Sequence, residues 1–300
     1  MQILIIGSKG FIGSHLVSHF NSDNQNNVFG CDIIEDNGPK YFRVDKFESS
    51  YETILKSHPF DVCIYAGGNG SVPYSIENPE TDFQLNTIGI NRILTSIQKF
   101  QPKCKFIHFS SAAVYGNPVF LPINEESKIE PLSPYGWHKY MSEIICKKFT
   151  SLYNLPTISL RVFSVYGEGL MKQLFWDLHR KIKTSKEVTL FGTGSESRDF
   201  IHISDLVNAI ELLIKKAKFQ SEVYNIGTGK EITIKEAANT FAKIYDSEVK
   251  IKFGGEIKEG DPINWRADIS KIKEMGFHPS TELSKGLQQY IQWIREKELR

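Results

Sequence analysis

Gly7-Ser8-Lys9-Gly10-Phe11-Ile12-Gly13 follows the apolar run Ile3-Leu4-Ile5-Ile6 and opens a stretch, 11–20, with helical apolar spacing. Strand, glycine turn and helix is the order a dinucleotide site requires. Gly7 lets the chain leave a strand in a tight turn, Gly10 removes a side chain that would keep a pyrophosphate off the backbone, and Gly13 lets the helix pack closely. The N–H groups of Phe11 and Ile12 then face the phosphates at the positive end of the helix dipole. Three glycines alone are a common pattern, but the context adds to it. Val28 to Asp32 reads as the next strand, and Asp32 closes it 19 positions after Gly13. A carboxylate there accepts hydrogen bonds from both ribose hydroxyls and repels a 2′-phosphate, and no Arg follows it, so NAD is expected over NADP.

The rest of the first half repeats the alternation. Strand-like runs at 2–6, 28–32, 61–66, 105–110 and 157–162 are separated by helical patterns near 11–20, 48–57, 80–100 and 134–152. Parallel neighbours need crossover helices, so this rhythm predicts an α/β, doubly wound parallel sheet. After Phe163 the rhythm changes. A helix near 171–183, a short strand at 188–191, a helix N-capped by Ser204 and running to about Lys218, a strand at 223–226 and a helix opened by Thr233 predict a smaller C-terminal α/β lobe. The expected division is residues 1–163 as a cofactor-binding domain and 164–300 as a mainly substrate-binding lobe, with segments of about 199–228 packing back onto the first.

Composition narrows the function classes. In 300 residues, 36 Lys and Arg balance 35 Asp and Glu, so the net charge of +1 suggests neither a nucleic-acid nor a membrane-surface partner. Cys31, Cys63, Cys104 and Cys146 are far apart and fit neither a zinc site nor a disulfide framework, which suggests buried thiols in a reducing, cytoplasmic setting. His108, His138 and His202 lack partners at metal-ligand spacing, so no metal is expected.

Two further stretches carry chemistry. Tyr135 and Lys139 stand four apart at the start of a helix and project from one face. An ammonium beside a phenol favours the phenolate, which can take a proton from an alcohol. Ser111, in Phe109-Ser110-Ser111-Ala112-Ala113-Val114-Tyr115-Gly116, lies just past a strand's C-terminal end, the edge where open parallel sheets bind ligands. Tyr115 and Gly116 are expected to shape the loop there, and Trp137 and Trp176 to serve in packing or in a pocket wall.

With these residues in this order, the chain resembles the extended short-chain dehydrogenase/reductase family, and within it the nucleotide-sugar epimerases and dehydratases. The resemblance also takes in Ala66-Gly67-Gly68, Asn86, Arg198-Asp199-Phe200-Ile201-His202, Asn225-Ile226-Gly227, and Gly260-Asp261-Pro262 ahead of Ala267-Asp268. It implies a Rossmann domain that binds NAD through Gly7, Gly10, Phe11, Ile12, Gly13, Asp32, Asp45, Ala66, Gly67, Asn86, Tyr135 and Lys139. It further implies Tyr135 as base and acid, Lys139 holding the nicotinamide ribose, and Ser111 on the sugar oxygen that is oxidised. The 4,6-dehydratases of the family carry Asp and Glu after this serine, whereas here Ala112 and Ala113 can move no proton. The Ser-Ala-Ala-Val-Tyr-Gly run looks most like the UDP-glucose 4-epimerase group, implying inversion at C4 of a nucleotide-diphosphate sugar, a UDP-hexose first of all, through a 4-keto sugar. Two positions depart from that group: Ser164 stands where Asn is usual, and Lys258 where Arg is usual. Arg198 with Lys258 is then expected on the diphosphate, and Ser164 on the substrate. The helices near 80–100 and 134–152 resemble a pair that forms a four-helix bundle in family homodimers. Alternative readings are a nucleotide 4-keto-6-deoxysugar reductase and a non-catalytic dinucleotide sensor.

Overall fold

The structure is a computed structural model that describes residues 1–47, 50–256, 260 and 262–299. In chain order its elements begin with β1 (Gln2–Ile6), α1 (Phe11–Asn21), β2 (Asn27–Asp32), β3 (Tyr41–Arg43), α2 (Glu52–Ser57), β4 (Val62–Tyr65), α3 (Val72–Glu77) and α4 (Pro79–Phe83). A π-helical turn (Gln84–Ile88), α5 (Gly89–Phe100), β5 (Lys105–Ser111), a 3₁₀ turn (Ala112–Tyr115), α6 (Pro134–Tyr153) and β6 (Thr157–Val162) follow. The chain continues through β7 (Ser164–Tyr166), α7 (Gln173–Ile182), β8 (Glu187–Leu190), β9 (Ser197–Arg198), β10 (Phe200–His202), α8 (Ile203–Lys216) and β11 (Gln220–Ile226). It ends with β12 (Ile232–Thr233), α9 (Ile234–Tyr245), β13 (Lys250–Phe253), α10 (Ser270–Lys273) and α11 (Leu283–Glu298).

Two compact units are formed. The first comprises Met1–Gly116, Lys128–Val162 and Ile210–Asn225, and the second Asn117–Ser127, Phe163–Ala209 and Ile226–Arg300. The first holds a seven-stranded sheet of order β11-β6-β5-β4-β1-β2-β3, whose pairs from β6 to β3 are all parallel. This is the Rossmann-like α/β fold, and its order reverses between β1 and β4. Every residue of β4 and β6 is buried, as a parallel sheet covered on both faces demands. Leu4, Ile6, Phe29, Leu94, Ile97 and Phe106 belong to the core on one side. The second unit has its own core, including Phe175, Leu178, Leu190, Phe241, Tyr290 and Ile294, and three two-stranded ladders, β7 with β10, β8 with β13, and β9 with β12.

Several elements differ from the sequence-based expectation. The helix expected over 80–100 is present as a continuous run from Pro79 to Phe100 with a π-helical turn inside it. Pro79 lacks an N–H and disfavours helical backbone at Asn78, so α3 and α4 are separate, and a π-helical turn around Asn86 precedes α5. The helix expected from 48 is described from Glu52. Ser204 is not an N-cap: α8 begins at Ile203, and the Ser204 hydroxyl lies 2.8 Å from His202 Nδ1. β3 and β13 escape notice because a three-residue strand and an alternating Lys-Ile-Lys-Phe strand are defined by their pairing rather than by composition. The four cysteines are free and buried. Among the described residues, no helix is long and apolar enough to cross a membrane and no group of His, Cys, Asp or Glu could hold a metal ion.

Candidate active site

The switch point between β1 and β4 is built of backbone. Gly7 and Ser8 donate to Cys31 O at 2.8 and 3.2 Å, and Ala66 N donates to Ile6 O at 2.8 Å. Gly7 has φ of +80°, and a Cβ on it would lie 2.6 Å from the carbonyl carbon of Ala66 and from Gly67 N. On Gly13 a Cβ would meet Gly7 O at 2.0 Å, so close approach of α1 to the turn needs glycine. Gly10 differs. It caps α1 with ordinary φ, and the nearest atom to a Cβ there is Gly7 O at 3.2 Å, with nothing else within 4 Å. Folding alone makes little demand for glycine at this position, and a bound pyrophosphate would use the room it leaves. No side chain caps α1, so the first N–H groups of Phe11 and Ile12 face outward from the turn.

Asp32 ends β2. Its Oδ2 accepts from Lys9 N at 2.8 Å and its Oδ1 from Ile33 N at 2.7 Å. An ionised carboxylate has about four acceptor sites, so capacity for two ribose hydroxyls remains. Asp45 lies exposed beyond Val44, whose N–H is bonded to Asp32 O. Asn86 is buried in the π-helical turn, its Nδ2 on Asp82 Oδ1 at 2.9 Å and its Oδ1 without a protein donor. The first-unit residues therefore fit NAD: a cradle free of side chains, an acceptor pair at the ribose position, and a buried acceptor on the same unit.

Tyr135 and Lys139 are placed by a well-specified helix start. Ser133 accepts from Gly136 N at 3.2 Å and Pro134 occupies the first turn, where its missing N–H costs nothing. Tyr135 N, otherwise an orphan of that turn, donates to Ser75 Oγ at 3.1 Å. The Tyr135 phenol is hydrogen-bonded to Ser111 at the end of β5. Ser111 Oγ also accepts from Ala113 N at 3.1 Å, which opens the 3₁₀ turn. Lys139 Nζ lies 5.7 Å from the Tyr135 ring centroid and donates to Phe109 O at 2.9 Å. Burial pushes the Tyr135 phenol up to about 12; the Ser111 hydrogen bond works against this and the Asp82 charge adds to it. The phenol thus stands above its ordinary value where the sequence predicts it lowered beside the amine, because loss of solvent dominates.

Behind this group lies a buried network that sequence reasoning missed. Arg161 Nε and Nη2 grip Glu143 at 2.9 and 2.7 Å, Ser110 Oγ donates to the same carboxylate at 2.5 Å, and Arg161 Nη1 reaches Tyr115 Oη at 2.9 Å. Tyr115 Oη in turn donates to Asn225 Oδ1 at 2.7 Å. Tyr115 is therefore a buried strut. Glu143 stands four residues after Lys139, a helical spacing that could have drawn attention to it. Trp137 is largely exposed, while Trp176 packs on His179 and Trp293 in the second unit.

In the second unit, Ser164 pairs with Phe200 across β7 and β10, two residues from Arg198. The Arg198 guanidinium donates to Ser197 O and Ile263 O at 2.8 and 3.2 Å and lies over the Trp265 ring. Beside it Asp199, fully buried, accepts from Thr228 N, Thr228 Oγ1, Gly229 N and Ala267 N. Burial pushes its carboxyl up, and these four bonds oppose that. Lys258 lies outside the described residues.

A sequence profile of the NAD dependent epimerase/dehydratase family matches residues 3–227. A UDP-glucose 4-epimerase of Mycolicibacterium smegmatis is 26% identical, with 99% of each chain covered. The crystal structure of a UDP-glucuronic acid 4-epimerase from Bacillus cereus, in complex with UDP-glucuronic acid and NAD, superposes with a TM-score of 0.90 at 27% identity, covering 99% of this chain and all of that one. A UDP-glucose 4-epimerase of Thermotoga maritima, with UDP-glucose, gives a TM-score of 0.88 at 29% identity over 99% of this chain and all of that one. The glycine turn, Asp32 and the Ser111, Tyr135 and Lys139 group stand in the fold that such a family requires, and the chain belongs to the NAD-dependent epimerase/dehydratase family, of the extended short-chain dehydrogenase/reductase type.

Proposed function

We propose that this chain is a 4-epimerase of nucleotide-diphosphate sugars, UDP-hexoses first among them, that works through a transient 4-keto sugar. The observation that carries the reading is the Tyr135 phenol hydrogen-bonded to Ser111, with the Lys139 ammonium alongside and only the methyl groups of Ala112 and Ala113 following. NAD, when bound, supplies a reversible acceptor for the hydrogen on C4. Tyr135 takes the proton of the C4 hydroxyl and returns it, Ser111 holds that oxygen, and Lys139 binds the nicotinamide ribose and adds positive charge near the phenol. Gly7, Gly10, Phe11, Ile12, Gly13, Asp32, Asp45, Ala66, Gly67 and Asn86 are assigned to the dinucleotide, and Ser164, Arg198 and Lys258 to the substrate. Residues 1–163 are accordingly read as mainly cofactor-binding and 164–300 as mainly substrate-binding. A 4,6-dehydratase needs acids where Ala112 and Ala113 stand. A reductase drawing on NADPH is disfavoured by the Asp32 carboxylate.

The purified protein is expected to retain NAD through gel filtration. Given UDP-, GDP-, CDP- and dTDP-hexoses in turn, it is expected to produce a C4 stereoisomer visible by NMR, with UDP-hexose the best substrate. A protein that consumes added NADPH and yields no stereoisomer would be the reductase instead.

We also read the chain as a homodimer. Trp137, Met141, Ile144 and Leu152 recur at helical spacing along α6 and are each more than a third exposed. A second copy would cover that face by two-fold symmetry. Light scattering is expected to give twice the chain mass, and Ile144→Lys to give the single-chain mass; a wild-type monomer removes this reading.

A further inference from the structure

We propose that Asp82 is a positioning residue for the catalytic turn of α6, acting through His138. The inference rests on the epimerase reading, because it takes Tyr135 and Lys139 as the reacting turn. Asp82 lies in α4, one residue before its end, and is fully buried. Its Oδ2 accepts from His138 Nδ1 at 2.5 Å, and its Oδ1 accepts from Asn69 Nδ2 at 2.6 Å and Asn86 Nδ2 at 2.9 Å. An ionised carboxylate can only accept, so His138 carries its proton on Nδ1 and Asn86 turns its Nδ2 inward.

The position of His138 gives this arrangement its consequence. It stands three residues after Tyr135 and next to Lys139, so a fixed imidazole fixes the turn that bears both. Phe83 packs against the edge of that ring, with centroids 5.3 Å apart. Several other tethers of the turn hold backbone atoms, Tyr135 N on Ser75 Oγ, Thr87 Oγ1 on His138 O at 3.1 Å, and Ser142 Oγ on Asn86 O at 2.6 Å, while Lys139 Nζ reaches only a neutral carbonyl, Phe109 O. Asp82 alone among these tethers is a carboxylate that grips a side chain of the turn. Through Asn69 it also holds the loop that leaves β4 at the cofactor edge, so one group couples that loop to the turn carrying Tyr135.

The test uses holoenzyme carrying Asp82→Leu, His138→Phe, both changes, or Asp82→Asn. Each apolar variant is expected to lower kcat about tenfold, with KM and NAD content within about twofold of wild type, and the double variant to be no worse than the poorer single. Asp82→Asn is expected to recover kcat to within about threefold, since an amide can satisfy the same partners once His138 changes tautomer. Unchanged kcat per NAD-loaded site, or losses that multiply in the double variant, would overturn the proposal. If Asp82→Leu does not fold, His138→Phe and Asp82→Asn carry the same comparison. A crystal structure of His138→Phe with NAD reads the effect without turnover: the first turn of α6 is expected to shift and the contact between Tyr135 and Ser111 to break, and an unmoved turn refutes the role. A wild-type protein that epimerises no sugar nucleotide sinks the epimerase reading instead, and the crystal structure still decides the claim about Asp82.

Discussion

Tyr135→Phe is expected to lower kcat by at least about 10²-fold, the usual scale for a lost general acid–base group, while NAD content and thermal stability stay near wild type. The ring keeps its packing, so the loss isolates the hydroxyl. That hydroxyl is held up at about 12 by burial, with the Asp82 charge adding to it and the Ser111 bond opposing it. A phenol with so high a value takes few protons at neutral pH, and added positive charge brings it down. The sign follows: activity rises as pH climbs through the phenol's value in the loaded enzyme, and that limb is expected well below the midpoint at which Tyr135 titrates in NAD-free protein. The ultraviolet difference between wild type and Tyr135→Phe gives the second number. Turnover that survives the substitution unchanged removes Tyr135 from the mechanism.

The second large effect is on folding. Arg161 and Glu143 have side chains only 5% and 6% exposed and meet at 2.7 Å. Removing one partner of such a pair leaves the other charge buried, a cost of about 3–5 kcal/mol, comparable to much of a domain's net stability. Glu143→Gln and Arg161→Met are each expected to lower the unfolding free energy extrapolated from urea titration by that amount and to reduce soluble yield. Burial draws the Arg161 guanidinium down, but its bonds to Glu143 and Tyr115 outweigh that and leave it firmly charged, so it cannot escape by losing its proton. Joint replacement by apolar residues of similar volume is expected to recover part of the loss, because the desolvation penalty goes with the charges. Single variants as stable as wild type would show that the pair contributes nothing net.

Much of the first unit was legible because its signals are local. The inner strands β1, β4, β5 and β6 are buried on both faces and read as largely apolar runs, and Ser133-Pro134 marks the start of α6 whatever surrounds it. Gly13 is demanded by backbone contacts within the turn itself, and Gly7 by its positive φ as well as by the nearness of Ala66 and Gly67. Other features were not local. The π-helical turn inside the 80–100 helix lies where Asp82 and Asn86 bond to each other, and β13 is defined by its pairing with β8. Glu143 and Arg161 look unremarkable in sequence, since charged residues usually face water, and Tyr115 reads there only as a loop-shaping residue; packing brings the three together without solvent.

The linear chain by itself determined the α/β alternation, the glycine turn followed by Asp32, and the Tyr135 and Lys139 pair on one helical face, because periodicity, turn chemistry and four-residue spacing act over a few neighbours. The tertiary structure decided the ionisation of Tyr135, the tying of Lys139 to Phe109 O, and the meeting of Asp82 with His138. Those depend on burial and on groups 30 to 56 positions away in sequence, where solvent exclusion sets the strength of every charge.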